Sequence, residues 1–150
     1  MNLMELKELG AICLERITDG FDKYSYESRY MGSLEAADEI GRLWEERGKT
    51  GVYADFYYYV LSDESREKVD EILNDREREY LRQIGAGGQT EKDDIIFPLD
   101  ETLLSIVTKL NAAGMLFSTI YFTGAAGERS TWWGNYKEEY IIFSDKEKRV

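Results

Sequence analysis

The chain contains no histidine. That excludes serine and cysteine hydrolases with a histidine base, the usual zinc sites, and every mechanism in which an imidazole shuttles a proton. Chemistry that rests on carboxylates, tyrosine, lysine or a carboxylate-bound magnesium stays open. Cysteine is nearly as scarce: Cys13 stands alone, so no internal disulfide forms, and a reducing cytoplasm suits it. With Leu6, Leu9, Ile12 and Ile17 around it at helical spacing, its thiol reads as a small core group and not as a nucleophile. Long apolar runs are also missing. No stretch approaches the roughly 18 apolar residues of a membrane span, and "MNLMELKELG", with Glu5 and Glu8, lacks the apolar centre of a secretory signal. Neither an internal repeat nor a dividing linker is visible, and 150 residues suffice for one domain with a real core.

What the chain has in excess is acid. Thirty aspartates and glutamates against nineteen lysines and arginines leave a formal charge of −11. From Glu91 to Glu101, Glu91, Asp93, Asp94, Asp100 and Glu101 face only Lys92, whereas the chain beyond Glu101 is slightly basic. Such a field repels nucleic acid and anionic membrane, so neither is expected as a direct partner, and a basic protein or a cation is.

Apolar spacing predicts a helix over "NLMELKELGAICLERITDG", capped by Asn2, with Leu6, Leu9, Cys13 and Ile17 on one stripe and Gly20 at its end. "FDKYSYESRYMG" reads as a short strand or an aromatic-rich connection. Ser33 opens a second helix with Leu34, Ala37, Ile40 and Trp44 on one stripe and Gly48 past its end. "TGVYADFYYYVLS" is β-branched and aromatic, and predicts a strand ending at Ser62. A charged helical region follows, capped by Ser62 or Asp63, with a break expected near Asn74; then come an edge strand ended by Pro98 and a helix from Asp100 to Gly114. "MLFSTIYFTG" and "EEYIIFS" predict two more strands, joined by the loop "AAGERSTWWGNYK", before a solvated tail. Helices interleaved with separated strands predict an α+β fold: one domain over residues 1–150, a small, mostly antiparallel sheet with helices packed against it.

Two aromatic stretches are candidate sites. If "VYADFYYYVL" is one strand, its period of two sends Val52, Ala54, Phe56, Tyr58 and Val60 to a core, and Tyr53, Asp55, Tyr57, Tyr59 and Leu61 to the other side. Covered by helices, that second side is packing; left open, a tyrosine face with an acidic centre has the composition of a protein-binding surface. In "STWWGNY", adjacent tryptophans cannot both enter one core from a strand, so Trp132 or Trp133 is expected at the surface. There, with Tyr136, it could anchor a partner or stack on a ring or a cation. A hairpin loop folded back with its aromatics buried is the alternative.

"GAGGQTEKDD" has neither the lysine and hydroxyl of a phosphate loop nor the glycine spacing of a dinucleotide fingerprint, and Glu91, Asp93 and Asp94 lack the spacing of a calcium loop. An acidic surface loop is expected, with no cofactor and no metal. A glycosidase-like pair of carboxylates could draw on Asp55, or on Glu138 and Glu139, but needs two acids facing each other in a cleft.

On "YADFYYY", "EKDD" and "STWWGNY", the chain resembles in general character bacterial immunity and antitoxin proteins, acidic single-domain inhibitors of secreted toxins. The resemblance implies a cytoplasmic inhibitor that occludes a basic toxin, commonly a nuclease, and no catalysis. Its contact residues would be Tyr53, Asp55, Tyr57, Tyr59, the acids Glu91, Asp93 and Asp94, and Trp132, Trp133 and Tyr136. The alternatives are a small carboxylate-dependent enzyme such as a glycoside hydrolase, and a homo-oligomeric adaptor whose tyrosine face is the subunit interface.

Overall fold

Four helix starts are set by capping side chains visible in the sequence. In the computed structural model of the chain, which describes residues 1–86 and 95–146, Asn2 accepts the Glu5 amide at 2.9 Å and opens helix α1 (Leu3–Glu8). Helix α2 (Ile17–Lys23) follows, and α3 (Ser33–Glu46) begins after Gly32 as its cap. Ser62 accepts the Ser65 amide ahead of α4 (Asp63–Ile72). The break expected near Asn74 is a capping box: Asn74 and Glu77 exchange side-chain-to-amide hydrogen bonds, both 2.9 Å, at the start of α5 (Asp75–Ala86). Asp100 opens α6 (Glu101–Ala113) by accepting the Leu103 amide at 2.7 Å, and Gly114 closes it in the left-handed conformation.

Among the described residues six strands, β1 (Ser25–Tyr30), β2 (Val52–Asp55), β3 (Ile96–Pro98), β4 (Thr119–Phe122), β5 (Ser130–Gly134) and β6 (Glu139–Ser144), form one sheet in the order β1-β6-β5-β4-β2-β3. Every pairing is antiparallel. The fold is therefore α+β, as expected, with β3 as an edge strand ended by Pro98.

Alternation along the strands splits the sheet into two faces. On one, Ala54, Ile120, Phe122, Trp132, Tyr140 and Ile142 meet Ile40 and Trp44 of α3 and the inner stripe of α6, forming the main core with side chains of α4 and α5. Asn111 of α6 ties that layer to the sheet, accepting the Ser118 amide at 2.8 Å and donating to the Tyr140 hydroxyl at 3.2 Å. On the other face lies the N-terminal segment, with Leu6 and Ala11 packed against Tyr121 and Ile96.

The chain departs from its sequence pattern in three places. The single N-terminal helix is two helices, because Gly10 leaves α1 at φ 91° and its Cα passes so close to Gly124 that a Cβ would lie 2.3 Å from that carbonyl oxygen. Residues between α1 and α2 then run across the sheet, Ile12 is buried with its carbonyl accepting from the Thr131 hydroxyl at 2.7 Å, and Leu9 turns outward. The tyrosine strand stops at Asp55: the Val60 and Leu61 amides bond back to the Tyr57 and Tyr58 carbonyls in a 3₁₀ turn, so the alternation expected through Leu61 is lost. The "STWWG" stretch, expected in a loop, is strand β5, paired on both sides.

One buried charge joins the helices. Glu77, its side chain 3% exposed, accepts from Lys109 at 2.6 Å, Ser105 at 2.7 Å and the Asn74 amide. Burial alone would raise its proton affinity, but these hydrogen bonds outweigh it and hold the carboxyl below its usual range. Stability from this group is therefore present above the unfolded pKa and is lost as pH falls through the depressed folded value. Glu77→Ala is expected to lower the unfolding free energy by about 3 kcal/mol at neutral pH, read from urea denaturation. A loss under about 1 kcal/mol would show that the α5–α6 contact does not depend on this carboxylate.

Candidate functional site

Asp55 is the last residue of β2, on the sheet face turned away from α3 and α6. Its neighbour β4 places Thr119 and Tyr121 on the same face. The Thr119 amide donates to Asp55 Oδ1 at 2.7 Å; the Tyr121 hydroxyl reaches Oδ2 only at 3.4 Å. Asp55 is 7% exposed, and no lysine or arginine among the described residues forms an ion pair with it. Burial is the largest influence on this carboxyl and pushes it up to about 7, with the Thr119 and Tyr121 hydrogen bonds opposing in part. In turn, burial and then the Asp55 charge raise the proton affinity of the Tyr121 hydroxyl.

Asp55 opens onto a cavity of about 600 Å³ between the sheet and the N-terminal segment. Thr119, Tyr121 and Trp133 form its floor with Asp55; Tyr57, Phe117 and Asn135 stand at one side. Leu3, Met4 and Lys7 of α1 and Cys13, Leu14 and Glu15 beyond it form the opposite wall. Burial raises the Cys13 thiol above its ordinary value, so it lines the cavity as a neutral, weakly nucleophilic group.

The residues expected from sequence divide sharply. Asp55, Tyr57 and Trp133 converge on the cavity, and Tyr136, 68% exposed, packs edge-on against its wall residue Phe117 at 4.7 Å. Tyr53 shares the face but is half-buried in the packing beneath α1. Tyr59 is on the wrong side for a joint patch: the 3₁₀ turn swings it into the main core, where its hydroxyl donates to the Leu81 carbonyl at 2.6 Å. Trp132 is buried in that core beside Phe122, which decides which of the two tryptophans faces outward. Glu91, Asp93 and Asp94 lie outside the described residues.

The acids weighed as a catalytic pair do not meet either. Glu139 is engaged by Ser28 at 2.6 Å, Asn135 at 2.9 Å and Tyr30 at 3.2 Å, and neither it nor Glu138 lines the cavity. Sequence reasoning missed Thr119, Tyr121, Phe117 and the wall from α1. Alternation in "STIYF" puts Thr119 and Tyr121 on one side and is legible, but only β2–β4 pairing sets them beside Asp55.

The Asp55 environment has a measurable signature. The folded carboxyl keeps its proton to about pH 7, whereas an unfolded aspartate releases it near pH 4. Between those values the folded state binds more protons, so this group's contribution to stability falls as pH rises and is fully lost above about 7. Asp55→Asn is expected to be more stable than the parent at pH 8 by about 2–4 kcal/mol and to lose that advantage by pH 4 to 5, in urea melts across pH. Parallel pH profiles for the two proteins would show that Asp55 ionises normally.

Compared with known proteins, the chain matches no family model, no curated protein and no solved structure, so the role of the site has to be argued from its own chemistry.

Proposed function

We propose that the chain is an acidic binding protein of the immunity or antitoxin type, and that it seats a basic side chain of its partner, a toxin such as a nuclease, in the Asp55 cavity. The observation that carries this reading is a buried carboxylate, with no ion-pair partner among the described residues, at the floor of a cavity that Tyr57 and Trp133 also line. Folding has already stripped Asp55 of water, so an arriving ammonium or guanidinium supplies the missing counter-charge without a second desolvation of the acid. The Tyr57 and Trp133 rings at the cavity offer cation–π contact to the same group. A net charge of −11 steers a basic protein inward from a distance. A nuclease presents arginine and lysine to phosphate, and those are the groups such a cavity would occupy. No helix among the described residues is long and apolar enough to cross a membrane; action in the cytoplasm, against a basic protein and not directly on nucleic acid, belongs to this same proposal.

The raised proton affinity of Asp55 also favours a second reading, a carboxylate-dependent enzyme such as a glycoside hydrolase, since a general acid works best with a pKa near the operating pH. The only other carboxylate lining the cavity among the described residues is the exposed Glu15, which is not the facing, desolvated pair that this reading needs.

The test is calorimetric titration against the toxin-like product of a neighbouring gene, with the toxin's own activity read in parallel. Asp55→Asn and the double variant Tyr57→Ala/Trp133→Ala are each expected to weaken binding by more than about 2 kcal/mol, while Tyr59→Phe, on the far face, leaves it unchanged. Binding should tighten as pH rises toward about 7, because the ionised carboxylate is the form that holds a cation. A toxin that stays fully active at saturation, or an Asp55→Asn protein that binds like the parent, overturns the proposal.

A further inference from the structure

The two ends of the sheet are finished differently. At β3 the outer edge is closed by the chain itself: the Ile96 amide donates to the Met1 carbonyl at 3.1 Å, the Met1 amino group returns a contact to the Ile96 carbonyl at 3.3 Å, and Pro98 ends the strand. At the opposite end, among the described residues, β1 pairs only with β6, and all six of its residues are exposed. Its outward backbone groups can be identified. Met31 stands opposite Glu138 and donates to its carbonyl at 2.9 Å, so the residue-by-residue alternation of an antiparallel ladder points the amides and carbonyls of Glu27 and Arg29 toward β6, and those of Tyr26, Ser28 and Tyr30 away from the sheet.

An open edge of this kind invites another strand, and charged residues on it commonly discourage one. Here the two charges, paired within the strand as Arg29–Glu27 at 3.2 Å, are also placed to suit one particular partner. If a second β1 is laid antiparallel with Ser28 opposite Ser28, the outward residues fall into register: Tyr26 faces Tyr30 of the other copy, and both of these pairs and the central serine pair exchange backbone hydrogen bonds. Between them, Glu27 lies opposite Arg29 in the non-hydrogen-bonded positions, where cross-strand side chains approach most closely. Sliding the copies by one two-residue step in either direction sets Glu27 against Glu27 or Arg29 against Arg29, which like-charge repulsion disfavours. On the face that carries Tyr26 and Tyr30, this register also covers exposed rings, Tyr26 at 56% and Tyr30 at 67%, beside Phe21 at 38%, which packs 4.7 Å from Tyr26.

We propose that β1 is a self-complementary edge through which two copies of this chain pair antiparallel, about a two-fold axis at Ser28, to make one continuous sheet. The sequence "SYESRY" is what specifies it, since its tyrosines and its opposite charges are placed symmetrically about the serine. Two-fold pairing uses the same strand from both copies, so the edges close on each other and no chain of subunits grows. Asp55, on β2, is separated from β1 by three strands (β6, β5 and β4), so the pairing is independent of cation binding in the cavity.

The test is sedimentation equilibrium of the purified chain from about 1 to 500 µM, the range in which a small interface of this kind is expected to associate. The parent should reach a dimer within it. Glu27→Arg and Arg29→Glu should each shift the dissociation constant upward at least tenfold, an equimolar mixture of the two should recover dimer, and the double variant Glu27→Arg/Arg29→Glu should dimerise alone. Ser28→Pro removes an outward amide that bonds to nothing in β6, so it should abolish the dimer with an unchanged far-ultraviolet circular dichroism spectrum. Asp55→Asn should dimerise like the parent. A parent that remains monomeric throughout, a Ser28→Pro protein that still dimerises, or a mixture no more associated than its two components overturns the proposal.

Discussion

An antiparallel sheet has two faces, and burying both is the constraint on which the arrangement of this chain depends. Helices α3 and α6, with side chains from α4 and α5, cover one face with a continuous apolar core that includes Trp44, Phe122, Trp132 and Tyr140. The second face is covered by a thinner layer, α1, α2 and the extended chain between them. Two glycines let this layer sit close. Gly10 turns the chain against Gly124, and at Gly20 a Cβ would lie 2.5 Å from the Phe143 ring, so α2 packs on β6 only because there is none. The thinner layer leaves a gap above β2, β4 and β5, and that gap is the cavity.

Polar groups inside the molecule are treated in two ways. The tyrosines near the 3₁₀ turn are tied down: Tyr58 donates to Asp70 at 2.8 Å, Tyr80 to Asp100 at 2.7 Å, and Tyr59 to a helix carbonyl, so their rings serve as core and their hydroxyls as pins between helices. Glu77 is likewise fully engaged. Asp55 differs, accepting the Thr119 amide at 2.7 Å and the Tyr121 hydroxyl only at 3.4 Å with no ion-pair partner among the described residues, and the cavity opens at that carboxylate. A buried acid without a paired cation lowers stability at neutral pH, and such a cost is characteristic of groups kept for binding or chemistry.

Much of the secondary structure was legible because its signals are local. Asn2, Ser62, Asn74 and Asp100 mark helix starts through hydrogen bonds made within three residues of themselves, and Gly114 marks an end through its own backbone. The candidate site was only partly legible. Asp55 and Tyr57 stood out as an acid among tyrosines, and Trp133 as one of a pair that could not share a core. That Tyr59 belongs to the other face depends on the turn after Asp55, and nothing in "DFYYYVL" distinguishes that turn from a continuing strand, since aromatic and β-branched residues favour strands wherever packing permits.

By itself the sequence determined the α+β class, the acid excess, the absence of imidazole chemistry and the symmetric charge pattern of β1, because composition, capping and two-residue alternation act over a few neighbouring residues. Only the tertiary structure decided which tryptophan is buried, where the N-terminal helix breaks, and that Asp55 loses its water while Thr119 and Tyr121 approach it. Those outcomes come from pairing strands distant in sequence and laying the first residues across them. Burial of a carboxylate is a property of everything packed around it, and no stretch of chain carries that information alone.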